Sequence, residues 1–312
     1  MRFPILLLTA LFMFGSCNNA DDDGAPSDSP VLKLRLQFDQ NQERLNNLGQ
    51  PATIPAGNAA QSPNVFGMAG HFIELVPTEF TPYRSGAIIY EGAEVPASNP
   101  NPFGFTSAID FDRAIVAEDS EVFLEIPLDD IPAGSYNHIR VSLAYQNYEI
   151  SYNLRDIPNV DDLLDQTGRV ASFVGFNTQI NSLQIADQSL DVNAPKLQGF
   201  WAFETQFSGT LSPFNQVLSG DAPTNATTVV NPFPNSPVPP GSCVVSGSLN
   251  RTLDITGDEI EDITLTLSFS VNQSFEWNDT NGNGEWDLYV ENPSQSERVV
   301  DMGVRGLIGV VE

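Results

Sequence analysis

The chain has 312 residues, 41% of them apolar, and a formal net charge of −27 at pH 7, so it can bury a sizeable core while its field repels phosphate backbones and anionic lipid head groups. Nucleic acid is excluded as a partner on that ground. Two lysines, Lys33 and Lys196, and two histidines, His71 and His138, leave few groups for Schiff-base, His-rich metal or imidazole-base chemistry.

Met1-Arg2 precedes the apolar run Phe3 to Phe14, the small residues Gly15-Ser16, and then Cys17. About a dozen apolar residues are too few to cross roughly 30 Å of hydrocarbon as a helix, so residues 1–16 are expected to be a signal peptide. Gly15-Ser16-Cys17 resembles the lipobox of bacterial lipoproteins, with Phe14 standing where Leu is more usual. The resemblance implies cleavage before Cys17, acylation of its thiol and new amino group, and a lasting anchor in the outer membrane. Residues 17–30 carry no large apolar side chain and read as a disordered acidic tether. Asp21, Asp22 and Asp23 resemble the signal that sends some such lipoproteins to the cell surface. With Cys17 acylated, Cys243 has no partner for an intramolecular disulfide.

Leu32, Leu34, Leu36 and Phe38 alternate with Lys33, Arg35, Gln37 and Asp39, the period of a strand with one face in a core. Residues 93–104 are dense in Pro and Gly and read as a loop. Val122, Leu124 and Ile126 predict a second strand, and Ile131-Pro-Ala-Gly-Ser-Tyr136 a turn into another. Ile139, Val141, Leu143 and Tyr145 alternate in one phase, and Tyr148, Ile150, Tyr152 and Leu154 in the other. That reversal predicts a tight hairpin at Gln146-Asn147, with Tyr145 facing Tyr148. Asn159–Gln166 is expected to be a short helix, residues 169–192 strands, and Leu197–Phe207 an aromatic strand.

Prolines crowd residues 231–242 and mark a linker or surface loop between a β-sandwich domain at 31–230 and a C-terminal β region at 243–312 that completes the same fold. In the latter, Ile263 to Trp277 share one parity and predict a long strand with a bulge near Asn272-Gln273. The fold class expected is all-β, an antiparallel β-sandwich, Ig-like or related, as one unit or as two packed β subdomains.

Asp279-Thr-Asn281-Gly-Asn283-Gly-Glu285-Trp286-Asp287 places oxygen-bearing side chains at positions 1, 3, 5 and 9 of a loop, with a glycine at 6 for the reversal and a carbonyl offered at position 7 by Glu285. A hard cation wanting six to eight oxygens suits such a set. The loop resembles the calcium loops of EF-hand and dockerin modules over its first nine positions, which implies a structural calcium ion held by Asp279, Asn281, Asn283, Glu285 and Asp287. It departs from them where Val290 replaces the bidentate glutamate. A plain Gly-Asn turn is the alternative.

Carboxylate pairs such as Asp110 with Asp112 and Asp129 with Asp130, and the cluster Asp258, Glu259, Glu261 and Asp262, keep a carboxylate-dependent glycoside hydrolase open as an alternative function. Trp201, Trp277 and Trp286, with Tyr136, Tyr145, Tyr148 and Tyr152, could stack on sugars or fill a core, and Trp286 is the best ligand-binding candidate because it lies in a polar loop. The opening Leu-x-Leu strand, the Pro-Ala-Gly-Ser-Tyr turn and Gln198-Gly-Phe-Trp-Ala-Phe-Glu204 are similar to the β-rich periplasmic proteins associated with methanobactin, over about residues 31–210. That resemblance suggests their fold; a periplasmic copper-handling role is a further alternative, although no copper ligand can be matched. The leading expectation is a non-catalytic binding or assembly module, lipid-anchored at the outer membrane or cell surface, whose partner is a glycan, a peptide or another subunit.

Overall fold

The computed structural model describes residues 29–97, 105–222, 244–304 and 306–312. The signal peptide, Cys17, residues 17–28 of the tether, the 231–242 segment and Cys243 lie outside the described residues, as do 98–104 of the predicted loop. Among the described residues there are nineteen strands and four short 3-10 turns. In chain order the strands are β1 (Val31–Asp39), β2 (Asn58–Gln61), β3 (Asn64–Val76), β4 (Ala87–Glu91), β5 (Glu94–Pro96), β6 (Ser107–Asp110), β7 (Val122–Pro127), β8 (Gly134–Arg155), β9 (Leu163–Phe173) and β10 (Asn177–Gln184). They continue with β11 (Ser189–Leu197), β12 (Phe200–Gln206), β13 (Val217–Gly220), β14 (Val244–Ile255), β15 (Ile263–Ser270), β16 (Phe275–Asn278), β17 (Asp287–Tyr289), β18 (Val299–Met302) and β19 (Gly306–Val311).

The fold is all-β and sandwich-like, built from a 12-stranded, a 4-stranded and a 3-stranded sheet. β8 organises all of it. One of its edges is shared in succession by β14 (Ser142 back to Gly134) and β9 (Tyr145 to Leu154), the other by β3 and, at its end, β17. From β14 the large sheet runs on through β19, β15, β1 and β7; from β9 it runs on through β12 and β13. Leucines of β1, β15 and β19 meet Ile139, Val141 and Leu143 of β8 and Ile73 and Leu75 of β3 in one buried cluster, so this sheet folds back over its own core. Farther along β8, the 4-stranded sheet (β11-β10-β6-β5) supplies Ile109, Ile180 and Leu183 to a second cluster around Tyr145 and Phe173. The 3-stranded sheet (β18-β16-β2) supplies Phe275 and Trp277 to a third, around Tyr148, Ile150 and Tyr152.

Partners on both faces correct the predicted hairpin. Residues 139–148 of β8 are all buried, and the strand runs through Gln146-Asn147 without turning. The change of phase comes from shifts in the β3 pairing, where Ala69 faces Tyr145 but Gly70 faces Leu143, leaving Ala144 as an extra residue. Tyr145 and Asn147 then share a face, joined by a bond from Asn147 Nδ2 to Tyr145 Oη at 3.0 Å, so Tyr145 does not face Tyr148 across a hairpin. At the same point β14 gives way to β9, and the Ala144 carbonyl accepts the N–H groups of Val174 and Gly175. A Cβ on Gly175 would lie 2.5 Å from the end of the Ile109 side chain, so any larger residue in the turn that leaves β9 would require Ile109 to shift.

Other expectations are met or altered for equally local reasons. Leu32, Leu34 and Leu36 are buried as the alternation predicts. β1, however, pairs in parallel with β15, Leu34 opposite Leu265 and Leu36 opposite Leu267, so the sheet is mixed where an antiparallel one was expected. Most of the chain separates the two strands, and no hairpin fixes their relative direction. β7 forms as expected, but a register shift leaves Phe123 unpaired and turns it into the core instead of Val122. The predicted helix at Asn159–Gln166 is a turn followed by β9: Asp156, Asn159 and Asp165 have positive φ, and Asp162 accepts the Asp156 N–H. The long strand after Ile263 ends at Ser270, and β16 begins at Phe275 in a different sheet, so the irregularity at Asn272-Gln273 is a break between sheets.

One buried ion pair fixes the loop between β3 and β4. Glu74 and Arg140, opposite each other on β3 and β8, are both fully buried and 3.3 Å apart. Arg140 also donates to the carbonyls of Glu79, Thr81 and Pro82, while Glu74 accepts the N–H groups of Arg84 and Gly86. Truncating one partner strands the other charge in a dry interior, so Glu74→Ala should cost about 3–5 kcal/mol of unfolding free energy in urea titrations, and Glu74→Gln less.

Candidate functional site

The loop 279–287 stands at the far end of β8. β17 pairs in parallel with Asn153–Arg155, and the Trp286 carbonyl accepts the Asn153 N–H at 2.8 Å. Asp287 is fully buried there, and its carboxylate gathers four donors. Oδ1 accepts from Asn153 Nδ2 and Arg155 Nε, each at 2.8 Å; Oδ2 accepts from Asn281 at 2.6 Å and Asn283 at 2.8 Å. Asp279 accepts the N–H groups of Gly282 and Gly284 on its two oxygens, and both glycines have the positive φ that the reversal needs. Buried Glu297 closes the loop from outside, accepting the N–H of Thr280 on one oxygen and that of Asp287 on the other.

Three of the predicted cation ligands, Asn281, Asn283 and Asp287, thus point at one place, and Asp279 lies on the same turn. Rotation of the two amides would turn their oxygens where their nitrogens now meet Asp287 Oδ2. The Glu285 side chain does not join them: its carboxylate is drawn to Arg155 and Asn153, which leaves its backbone carbonyl as the ligand it can offer. Arg155 already offsets part of the negative charge a cation would meet. Asn153, Arg155 and Glu297 are neighbours of the loop that sequence spacing did not indicate, because long-range pairing brings them in.

The loop separates two recesses. On one side Asp287, Asn281, Asn283, Arg155, Asp156 and Asp162 line an open polar depression of about 540 Å³. On the other, an apolar cavity of about 380 Å³ is lined by Tyr152, Val170, Trp201, Phe203, Phe275 and Trp286, among others. Trp286 stands 5.0 Å from the Phe275 ring, and its Nε1 donates to the Glu297 carbonyl, so it meets the cavity as an apolar wall. Tyr152 contributes its ring to the same wall, and its buried Oη has no hydrogen-bond partner among the described residues. Burial pushes its pKa well up.

No family model, curated protein or solved structure matches the chain. The site is therefore read from its own chemistry. The aromatic residues do not form an exposed sugar platform: Trp277, Tyr136, Tyr145, Tyr148 and Tyr152 are buried, and half-buried Trp201 and Trp286 line the cavity. Asp110 is paired with Arg113 and Asp112 with Asn181; Glu259 caps Thr256 and Gly257, Asp262 binds Lys33, and Asp129 and Asp130 are exposed on a turn. His71, on β3 near Ser142, and His138, opposite Val76, stand several residues apart along the sheet, roughly 15 Å at strand spacing. His71 instead contacts Glu94 at 3.0 Å, and burial outweighs that carboxylate and lowers its pKa.

Burial alone would raise the Asp287 pKa, but the hydrogen bonds from Asn153, Arg155, Asn281 and Asn283 outweigh it and hold the carboxyl below its usual value. A carboxyl with a depressed folded pKa stabilises the fold above its unfolded value of about 3.9, and that contribution is lost as pH falls through the folded value. Asp287→Asn should therefore melt below the wild type at pH 7, and the gap should narrow as pH drops below about 4. Thermal melts at pH 7, 5 and 3 check this; an equal gap at pH 3 would mean that the charge contributes nothing.

Proposed function

We propose that the protein is a lipid-anchored, non-catalytic binding module of the bacterial outer membrane or cell surface that captures an apolar ligand in the cavity beside Trp286. The aromatic lining of that cavity carries the reading. Its volume of about 380 Å³ lies within the range of small-molecule sites, and its walls are apolar side chains with few polar groups. A glycan or an extended peptide would leave hydroxyl or amide groups unpaired against such walls, at a cost of about 1–3 kcal/mol each, so an apolar ligand suits it better. The anchor rests on the Gly15-Ser16-Cys17 sequence.

The test uses the neutral fluorophore N-phenyl-1-naphthylamine, which brightens in apolar surroundings. It should saturate one site on the full chain. Leu218→Trp and Val300→Trp fill the cavity from half-exposed positions that the fold can spare, and each should weaken binding at least tenfold with an unchanged circular dichroism spectrum. Equal binding by the filled variants would sink the cavity reading. In cells, a fatty-acid analogue should label the wild type and not Cys17→Ser, which should leave the membrane fraction.

We further propose a structural calcium ion in the loop, taken by Asp279, Asn281, Asn283, Asp287 and the Glu285 carbonyl, in exchange for the amide bonds onto Asp287. A site of about 0.1 mM affinity in 10 mM calcium would add roughly 2.7 kcal/mol. A rise of several degrees in midpoint, absent in Asp279→Ala and retained in Asp258→Ala, is the expected result. Identical melts in chelator and in calcium would leave a loop closed by hydrogen bonds alone.

A further inference from the structure

Two charged residues line the apolar cavity, Arg298 and Asp301, and they are not equivalent. Asp301 is half-buried and engaged within the fold. Arg298 is exposed, and its guanidinium makes no ion pair or hydrogen bond among the described residues. The preceding carboxylate, Glu297, is committed to the backbone of Thr280 and Asp287. Arg155, Arg113 and Lys33 show the usual outcome in so acidic a chain, since each has a carboxylate partner. A chain of net charge −27 thus sets an uncommitted positive charge beside its apolar cavity.

We propose that the cavity binds a monocarboxylate amphiphile, a fatty acid of about a dozen carbons, with the chain against Trp201, Phe203 and Trp286 and the carboxylate on Arg298. The proposal rests on the cavity reading above and adds the class of its ligand. The lining suits a hydrocarbon chain, which asks for no hydrogen bonds. A guanidinium matches one carboxylate in charge and in bidentate geometry. A two-chain phospholipid exceeds the volume, and a cationic amphiphile would meet Arg298 with like charge.

Displacement of N-phenyl-1-naphthylamine from the full chain tests this, with octanoate, decanoate, dodecanoate, dodecanol and dodecylammonium as competitors below their micellar concentrations. Affinity should rise about fourfold per methylene until the chain fills the cavity. Dodecanoate should outcompete dodecanol roughly two- to fivefold at low salt, the size of an exposed ion pair, and dodecylammonium should bind most weakly. In Arg298→Gln the preference for carboxylate should vanish while dodecanol binds as before. If the fluorophore binds but dodecanoate gains nothing over dodecanol, or keeps its advantage in Arg298→Gln, the ligand class is wrong and the cavity reading stands. If the fluorophore does not bind at all, both fall.

Discussion

A single strand buried on both faces is the constraint on which the rest of this molecule depends. β8 cannot be covered by one partner layer, because its first half faces the doubled-back large sheet and its second half is packed between two smaller sheets. Each half requires its own neighbour along the same edge, which is why β14 is replaced by β9 near Ala144. The bulge at Ala144, the paired N–H groups of Val174 and Gly175 and the close approach of Gly175 all follow from that exchange. The Arg140–Glu74 pair belongs to the same requirement: a polar pair deep in β8 and β3 is tolerable because loop carbonyls and amides meet the Glu74 carboxylate and the two terminal guanidinium nitrogens, while Arg140 Nε has no partner among the described residues.

Single strands were legible in the sequence where alternation or aromatic composition was strong. β1 could be read from alternation, because a wetter side and a core side leave a period of two, and β12 from its aromatic composition. β8 was misread for the opposite reason. With both faces dry, its apolar residues no longer report a direction, and a bulge and a hairpin leave the same reversal of phase. The parallel pairing of β1 with β15 had no sequence signal, since neither residue type nor spacing records a partner across most of the chain.

The candidate site divides along the same line. The turn at 279–287 was legible because its Asn, Asp and Gly residues are needed locally, and the structure does place Asn281, Asn283 and Asp287 together. What makes it a site was not: Asn153 and Arg155 arrive with the end of β8, Glu297 by folding back, and the cavity wall comes from several strands of two sheets. Trp286 was identified for its position in a polar loop, yet its use is apolar, because Glu297 takes its N–H and leaves the ring to face the cavity.

The direction of β8 also gives the molecule two unlike poles. Val31 enters beside Pro127 and Ile263, at the end where β14 finishes against Gly134, whereas the loop and the cavity gather around the strand's other end at Asn153 and Arg155. Along the strand these ends are separated by roughly 70 Å of contour. A chain tethered through residues 17–30 would therefore be held by the pole remote from its cavity. Under the anchor and the apolar ligand proposed above, the ligand would reach the cavity from the water side, with no lateral path from a bilayer needed.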